Sequence, residues 1–554
     1  MFARTHSASR IFPGRPALHA ETVILLVVIW MIVMLNARWW SALIASHSLR
    51  NPASWGFLAA VGIALVALHF AVLAPFMNRW TMRPLLSVIV VLATAAAYFT
   101  DAYSVMLDPT MIRNILETDV REASELVSLP MVGRVALGSA LPLAFLWWVR
   151  VRQRPVLRAV LIRSGFLLAS LAIAVLAILP VNRDLVSMMR NHHELRYLIT
   201  PGNFLVGFAR QSVRQAQAPS GPKRAVGVDA RQRHPASVAG RSRVFVLIVG
   251  ETARAQNFGL LGYPRDTTPE LGRLDVTAFG NVRSCGTSTE VSVPCMFSAY
   301  GRADYDERLI RDSQGLLDVL VHAGLAVTWI DNQAGCKGVC EGAGIRTRNP
   351  DPALDPASCR DSECQDGILV RELEAELDGV TGNTVIVLHM MGNHGPAYYR
   401  RYPAEFRHFM PECVTAELRD CTREQIVNAY DNAIRYTDHV LASLIGVLQA
   451  HSAQVASALL YVSDHGESLG EAGLYLHGMP YAIAPDTQKH VPMVTWMSPE
   501  FAADQHVDGN CLKAGAGQAL SHDNLFHSVL GVLDIETSAY RPERDFFRNC
   551  RQAD

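Results

Sequence analysis

The chain has 554 residues, with 50 Lys+Arg against 51 Asp+Glu and a formal charge of −1, a balance that excludes a strongly cationic nucleic-acid binder and a charge-rich disordered chain. Only 18% of residues are charged and the mean hydropathy is +0.15, too apolar for a wholly soluble protein of a length that holds roughly three domains of about 150 residues. A membrane portion is therefore expected.

Five charge-free stretches rich in Leu, Val, Ile, Ala and Phe run over 22–37, 51–78, 84–100, 135–149 and 164–182. Each is near the roughly 20 residues that cross a hydrocarbon core as a helix. The fourth is the shortest, but Arg134 and Arg150 at its ends can snorkel while Pro130 to Trp148 supplies the length. Basic residues sort by loop. Arg4, Arg10 and Arg15 precede the first span, Arg79 and Arg83 follow the second, and Arg150, Arg152, Arg154, Arg158 and Arg163 follow the fourth. These loops are cytoplasmic by the positive-inside rule, and five spans starting inside leave everything after Asn182 outside. The intervening loop carries Asp108, Glu117, Asp119, Glu122 and Glu125 and belongs on the outer side. Within it Asn114, Thr118 and Glu122 stand at i, i+4 and i+8, which predicts one helical face.

All ten cysteines follow the spans, as a disulfide framework in an exported domain would require. Neighbour pairing is expected: Cys285 with Cys295, Cys336 with Cys340, Cys359 with Cys364, Cys413 with Cys421 and Cys511 with Cys550. Cys336, Cys340, Cys359 and Cys364 would also suit a Cys₄ zinc site, but the compartment favours oxidation. Between the spans and this domain, Met188 to Arg210 mixes apolar and basic residues like an amphipathic helix, and Ala216 to Arg243 has a linker's composition. The expected division is 1–182 membrane domain, 183–243 bridging helix and linker, and 244–554 catalytic domain.

From Val244 onward, short β-branched runs alternate with helical stretches, predicting an α/β domain with a largely parallel sheet. Three runs end in chemistry: Val244 to Val249 before Glu251, Thr384 to Leu388 before His394, and Ala458 to Val462 before Asp464 and His465. Ligands bind outside the carboxyl ends of such strands, so these four side chains are expected in one crevice. Glu251, Asp464 and His465 form a donor set suited to Zn²⁺ with one position left open. A hydroxyl-rich segment between Cys285 and Cys295 offers Thr287, Ser288 and Thr289 as nucleophiles at a helix entrance, and spacing does not choose among them.

Gly250-Glu251-Thr252-Ala253-Arg254, Gly262-Tyr263 with Thr267-Thr268-Pro269, Cys285 to Ser298, Gly392-Asn393-His394-Gly395-Pro396, Tyr430-Asp431-Asn432, Ser463-Asp464-His465-Gly466-Glu467 and Tyr475-Leu476-His477-Gly478 resemble the lipid A phosphoethanolamine transferases of the polymyxin-resistance type. The resemblance covers essentially the whole chain. It implies a multi-pass membrane domain of five helices and a periplasmic α/β domain of alkaline phosphatase/sulfatase fold. The chain is expected to be a monomer of the bacterial inner membrane, with the cytoplasmic N-terminus that the basic loops give. Thr289 is implied as nucleophile, with Glu251, Asp464, His465 and the Thr289 oxygen as zinc ligands, and Lys337, His394 and His477 as the groups that handle phosphoethanolamine. The implied reaction moves phosphoethanolamine from phosphatidylethanolamine to a phosphate of lipid A and releases diacylglycerol. Asn114, Thr118 and Glu122 are implied to guide the lipid. One residue departs from the pattern: Glu290 follows the nucleophile where the family more often has a small residue. The competing readings are a membrane-anchored phosphodiesterase or sulfatase-like hydrolase with water as acceptor, and a glycerol-phosphate transferase. A transporter is disfavoured because the spans hold almost no ionisable residue beyond His69.

Overall fold

The computed structural model describes residues 15–45, 50–78, 80–118, 120–152, 154–216, 221–235, 240–360 and 363–551. Arg4, Arg10, Arg79 and Asp119 lie outside these residues, as does the side chain of Glu122. The chain forms two compact units.

The first unit is helical: α1 (Ala20–Met34), α2 (Ala37–Ala45), α3 (Pro52–Leu73), α4 (Met82–Tyr103), which ends in the second unit, then α7 (Leu129–Trp148), α8 (Val156–Ile178), α9 (Asn182–Asn191) and most of α10 (Gly202–Ala216). Among the described residues, four helices are long and apolar enough to cross a membrane, and α1 with α2, bent by 58°, make a fifth if taken as one span. The five expected spans are thus matched when the bent pair counts as one, with the first of them broken. The break falls at Asn36, whose Nδ2 donates to the Met31 carbonyl (3.0 Å) and the Thr200 carbonyl (2.9 Å) while its Oδ1 accepts from Thr200 N (2.7 Å). A side chain that satisfies backbone groups in this way competes with the next helical turn. Buried Val23, Val27 and Met31 pack with Leu86 and Val90 in this unit's core. Leu168 and Leu176 on α8 stay exposed, as surfaces facing lipid do. The expected bridging helix is interrupted by a 3₁₀ turn at His193–Leu198 before Pro201, which cannot donate a backbone hydrogen bond.

The second unit holds α5 (Pro109–Glu117) and α6 (Val120–Leu126) together with the chain from Arg210 onward. Its centre is an eight-stranded sheet of β1 (Ser242–Gly250), β2 (Thr277–Arg283), β3 (Ala326–Asp331), β4 (Ile345–Arg348), β5 (Thr384–His389), β6 (Val455–Ser463), β7 (His490–Met497) and β8 (Leu520–Ser521). The order is β8-β2-β7-β6-β1-β5-β3-β4. From β6 to β4 neighbours run parallel, and β7 is antiparallel to both of its neighbours. Val244 to Val249 are all buried, the unbroken apolar run expected of a strand covered on both faces.

All ten cysteines pair as neighbours in the expected way, which leaves none for a Cys₄ zinc site. Part of the expected linker is instead built into this unit. Arg231–Gln232 pairs with Ile535–Glu536, Arg224 N donates to Asp312 O (2.6 Å), and Lys223 Nζ donates to Gly338 O (2.5 Å). Composition signalled a connection but gave no sign of these backbone partners; residues 217–220 and 236–239 lie outside the described ones.

Candidate metal centre and nucleophile

β6, β1, β5 and β3 lie side by side, with Ser463 opposite Gly250 and His389 opposite both Val249 and Asp331. The residues after each carboxyl end therefore meet in one crevice. Glu251, Asp464 and His465 are fully buried there, and each offers a ligand atom within 4.8 Å of the others. His465 Nε2 lies 3.4 Å from Glu251 Oε1 and 3.3 Å from Asp464 Oδ2. Its Nδ1 lies 2.9 Å from the Gly466 carbonyl, an arrangement that keeps the proton on Nδ1 and leaves the Nε2 lone pair for a metal. Asp464 Oδ1 accepts from Thr252 N (3.1 Å) and His465 N (2.7 Å), whereas its Oδ2 is buried without a hydrogen-bond partner. An orphaned carboxylate oxygen beside a second carboxylate and an imidazole fits a divalent cation, because burying it uncompensated is costly.

The protonation of the three side chains shows the same demand for positive charge. Burial, reinforced by the charge of Glu251, pushes Asp464 up to about 7. Burial acts on Glu251 in the same direction, but the hydrogen bond and charge of His465 outweigh it and hold this carboxyl well below its usual range. Burial lowers His465, yet Asp464 and Glu251 raise it to about 10. Without a metal, a proton on His465 supplies the missing cation.

Thr289 opens α11 (Thr289–Met296), with Ser288 extended at the N-cap. Of the three hydroxyls that spacing leaves open, Thr287 Oγ1 donates to Met479 O (2.6 Å) and Ser288 Oγ is buried without a hydrogen-bond partner. Thr289 Oγ1 donates to Glu251 Oε2 (3.0 Å) and lies 3.4 Å from His465 Nε2. The unpaired amides of a helix start favour an anion beside this hydroxyl. His522 ties the two halves of the site together: its Nδ1 accepts from Cys285 N (3.0 Å) and its Nε2 faces Ser463 O (3.0 Å).

Comparison with known proteins gives this arrangement a family. A family model described as Sulfatase matches residues 243–535, and one described as Phosphoethanolamine transferase EptA/EptB matches residues 65–216. Phosphoethanolamine transferase EptA of Salmonella typhimurium is 39% identical, over 98% of this chain and 99% of its own length. The chain belongs to the phosphoethanolamine transferase family. Phosphatidylethanolamine transferase Mcr-1 of Escherichia coli is 34% identical, over 85% of this chain and 87% of its own. The integral membrane lipooligosaccharide phosphoethanolamine transferase A (EptA) of Neisseria meningitidis superposes with a TM-score of 0.91 at 35% identity, covering 97% of this chain and 100% of that one.

The remaining candidate residues of this family member are placed as follows. The His477 ring lies 4.4 Å from that of His465 and 5.7 Å from that of His394, and its Nδ1 lies 2.9 Å from Glu467 Oε2. Glu467 in turn accepts from the Tyr398 hydroxyl (2.7 Å). Lys337 lines a cavity of about 650 Å³ with Glu117, Arg311 and Asp331, and its Nζ donates to Ala334 O (2.8 Å). His394 lines a second cavity of about 280 Å³ with Gln333, Met391 and Glu125. Asn114 Nδ2 comes within 3.9 Å of the position a Cβ would take on Gly478, the residue after His477. The continuous helical face does not form. α5 stops at Glu117, Thr118 Oγ1 turns back and donates to Asn114 O (2.5 Å), and Glu122 falls on α6. A hydroxyl that bonds its own preceding turn helps to end a helix. Sequence reasoning also passed over Gln333, whose Nε2 donates to Glu251 Oε2 (3.2 Å). It follows β3 as the other site residues follow their strands, so the same strand-end rule would have found it.

Proposed function

We propose that the chain transfers phosphoethanolamine from phosphatidylethanolamine to a phosphate of lipid A through a phosphoethanolamine ester of Thr289, releasing diacylglycerol in the first step. Glu251, Asp464 and His465 would hold Zn²⁺, for which two carboxylates and an imidazole with an open fourth position are a suitable set. Zinc, when bound, supplies the Lewis acidity that favours the deprotonated hydroxyl of Thr289. Thr289 Oγ1 attacks phosphorus, the diacylglycerol oxygen leaves, and a lipid A phosphate oxygen displaces Thr289 in the second step. His477, kept in orientation by Glu467, and His394 exchange the protons of the leaving and entering oxygens. Lys337 and the first amides of α11 offset charge on the phosphoryl oxygens. Asn114, Thr118 and Glu122 belong to the segment that receives the lipid donor.

The observation that carries this reading is the Thr289 hydroxyl resting on Glu251 beside Asp464 Oδ2, which has no hydrogen-bond partner. The basic loops and spans support an inner-membrane protein with its N-terminus cytoplasmic and its catalytic unit periplasmic. Mass spectrometry of lipid A from cells making the chain should show added phosphoethanolamine, absent with Thr289→Ala. Free phosphoethanolamine released by the purified protein, with unmodified lipid A, would instead identify a hydrolase.

A further inference from the structure

Glu290 is 3% exposed, with its Oε2 lacking a hydrogen-bond partner, and no step of the transfer uses it. Arg311, on α12 (Glu307–Arg311), grips it twice: Nη2 donates to the Glu290 main-chain carbonyl (2.8 Å) and forms an ion pair with Glu290 Oε1. Arg311 Nε also lies 3.8 Å from Glu307 Oε1, and the same Glu307 oxygen pairs with Arg113 Nη1. Arg113 is 3% exposed and sits on α5, so a chain of alternating charges runs from the residue after the nucleophile to the helix that bears Met111 and Asn114. α5 packs on α11 and α12 packs on α11 as well. The Met111 methyl group lies within 2.5 Å of the position a Cβ would take on Gly478, beside His477. The Glu117 carboxyl approaches Glu290, and Arg311 and Arg113 offset the repulsion between them.

We infer that Glu290 is a positioning residue: the Glu290–Arg311–Glu307–Arg113 chain docks α5 against the nucleophile helix and so holds Met111 and Asn114 over the His477 loop. This rests on the proposed transferase reading in assigning α5 to a donor with acyl chains. Glu290 and Arg113 are buried while Arg311 and Glu307 are partly exposed, so loss of either buried end leaves a partner charge that solvent compensates only in part. Its effect should fall on substrates that need α5, not on the hydroxyl chemistry at Thr289.

The test uses the full chain in detergent with Glu290→Ala, Glu290→Gln, Arg113→Ala and the Glu290→Ala/Arg113→Ala double variant. Two donors are compared: phosphatidylethanolamine in mixed micelles, and a water-soluble aryl ester of phosphoethanolamine. Glu290→Ala and Arg113→Ala should each lower kcat/KM for the lipid about ten-fold, chiefly through KM. The double variant should lose no more than the worse single one, as linked residues do, and the soluble ester should change less than about two-fold. Glu290→Gln, which still accepts from Arg311, should recover part of the loss. Equal losses on both donors, or additive losses in the double variant, overturn the inference. Hydrogen exchange supplies a readout independent of activity: the amides of 109–117 should lose protection in both single variants while β1 and β6 keep theirs. Unchanged protection of α5 overturns the docking role. A parent chain inactive on both donors, with α5 exchange responding as expected, instead sinks the transferase reading alone.

Discussion

Gly392 offers the sharpest test of how the fold sets the metal centre. It follows β5 with φ +53, and a Cβ there would meet Glu251 O at 2.5 Å, Glu251 N at 2.9 Å and Glu251 Cβ at 3.0 Å. The loop has little freedom to retreat, since Asp366 accepts from Met391 N (2.8 Å) and Gly392 N (2.7 Å), and Asn393 N donates to Glu251 O (3.0 Å). Gly392→Ala therefore adds about 1–2 kcal/mol for a side chain in the left-handed region and about 1–3 kcal/mol of overpacking, together roughly 2–5 kcal/mol. That cost is delivered directly to the backbone of Glu251, a proposed metal ligand. The control lies before the same strand: Gly382 has nothing within 4 Å of its Cβ position and no positive φ. Elemental analysis and thermal melting of the two variants should show metal lost and the melting temperature down by about 4–10 °C for Gly392→Ala. Gly382→Ala should leave both nearly unchanged. A Gly392→Ala protein that melts within about 1 °C of the parent with its metal retained would refute the reasoning, as would equal damage from Gly382→Ala.

Two further outcomes follow from the site. Glu251→Ala, Asp464→Ala and His465→Ala should each strip the metal, because each removes one of three buried donors, whereas His394→Ala and His477→Ala should cut transfer with the metal kept; zinc analysis of the five variants checks this division, and uniform loss would break it. His522 is 2% exposed and burial above all pushes its pKa down to about 4. The unfolded chain takes up that proton first as pH falls, so the contribution is fully present above about 6.5 and disappears toward 4, at about 1.36 kcal/mol per unit and roughly 3 kcal/mol in all. Chemical denaturation at pH 7 and pH 5 should therefore show a smaller loss in His522→Asn than in the parent; an equal loss would remove His522 as the cause.

The catalytic half was legible where a rule of position applied. Glu251, Asp464 and His465 follow unbroken apolar strands, and neighbouring parallel strands bring their carboxyl ends together whatever the sequence distance between them. The proposal of Thr289 over Thr287 and Ser288 was not legible from spacing, since all three stand within one turn of a helix start and differ in which partners the fold presents: Met479 O to Thr287, Glu251 to Thr289. The membrane half was legible as hydropathy and not as shape. Asn36 lies at the end of an apolar run, and its ability to divert α1 depends on Thr200, more than 160 residues away in sequence. The end of α5 at Glu117 was hidden for a related reason, because i, i+4, i+8 spacing describes a face only while the helix continues, and Thr118 helps to stop it.

The polar residues that fix the site are themselves distant in sequence, and this couples catalysis to completion of the fold. Tyr430 donates its hydroxyl to Thr252 O (2.7 Å) and accepts from Arg254 N (2.9 Å), securing the chain just after Glu251. Ser463 Oγ accepts from Ala253 N (2.8 Å) and donates to His465 O (3.0 Å), locking the β1 exit to the β6 exit. Asp366 holds the β5 exit, and His522 joins the nucleophile loop to β6. Each strand end is thus fixed by a buried polar group from another segment, and each such group would be left unsatisfied if its partner strand were out of register. Unsatisfied buried groups are expensive enough to select one register over its neighbours. The same hydrogen bonds that specify the sheet therefore bring two carboxylates, an imidazole and a hydroxyl within a few ångströms, against the repulsion between the two carboxylates, before any metal arrives.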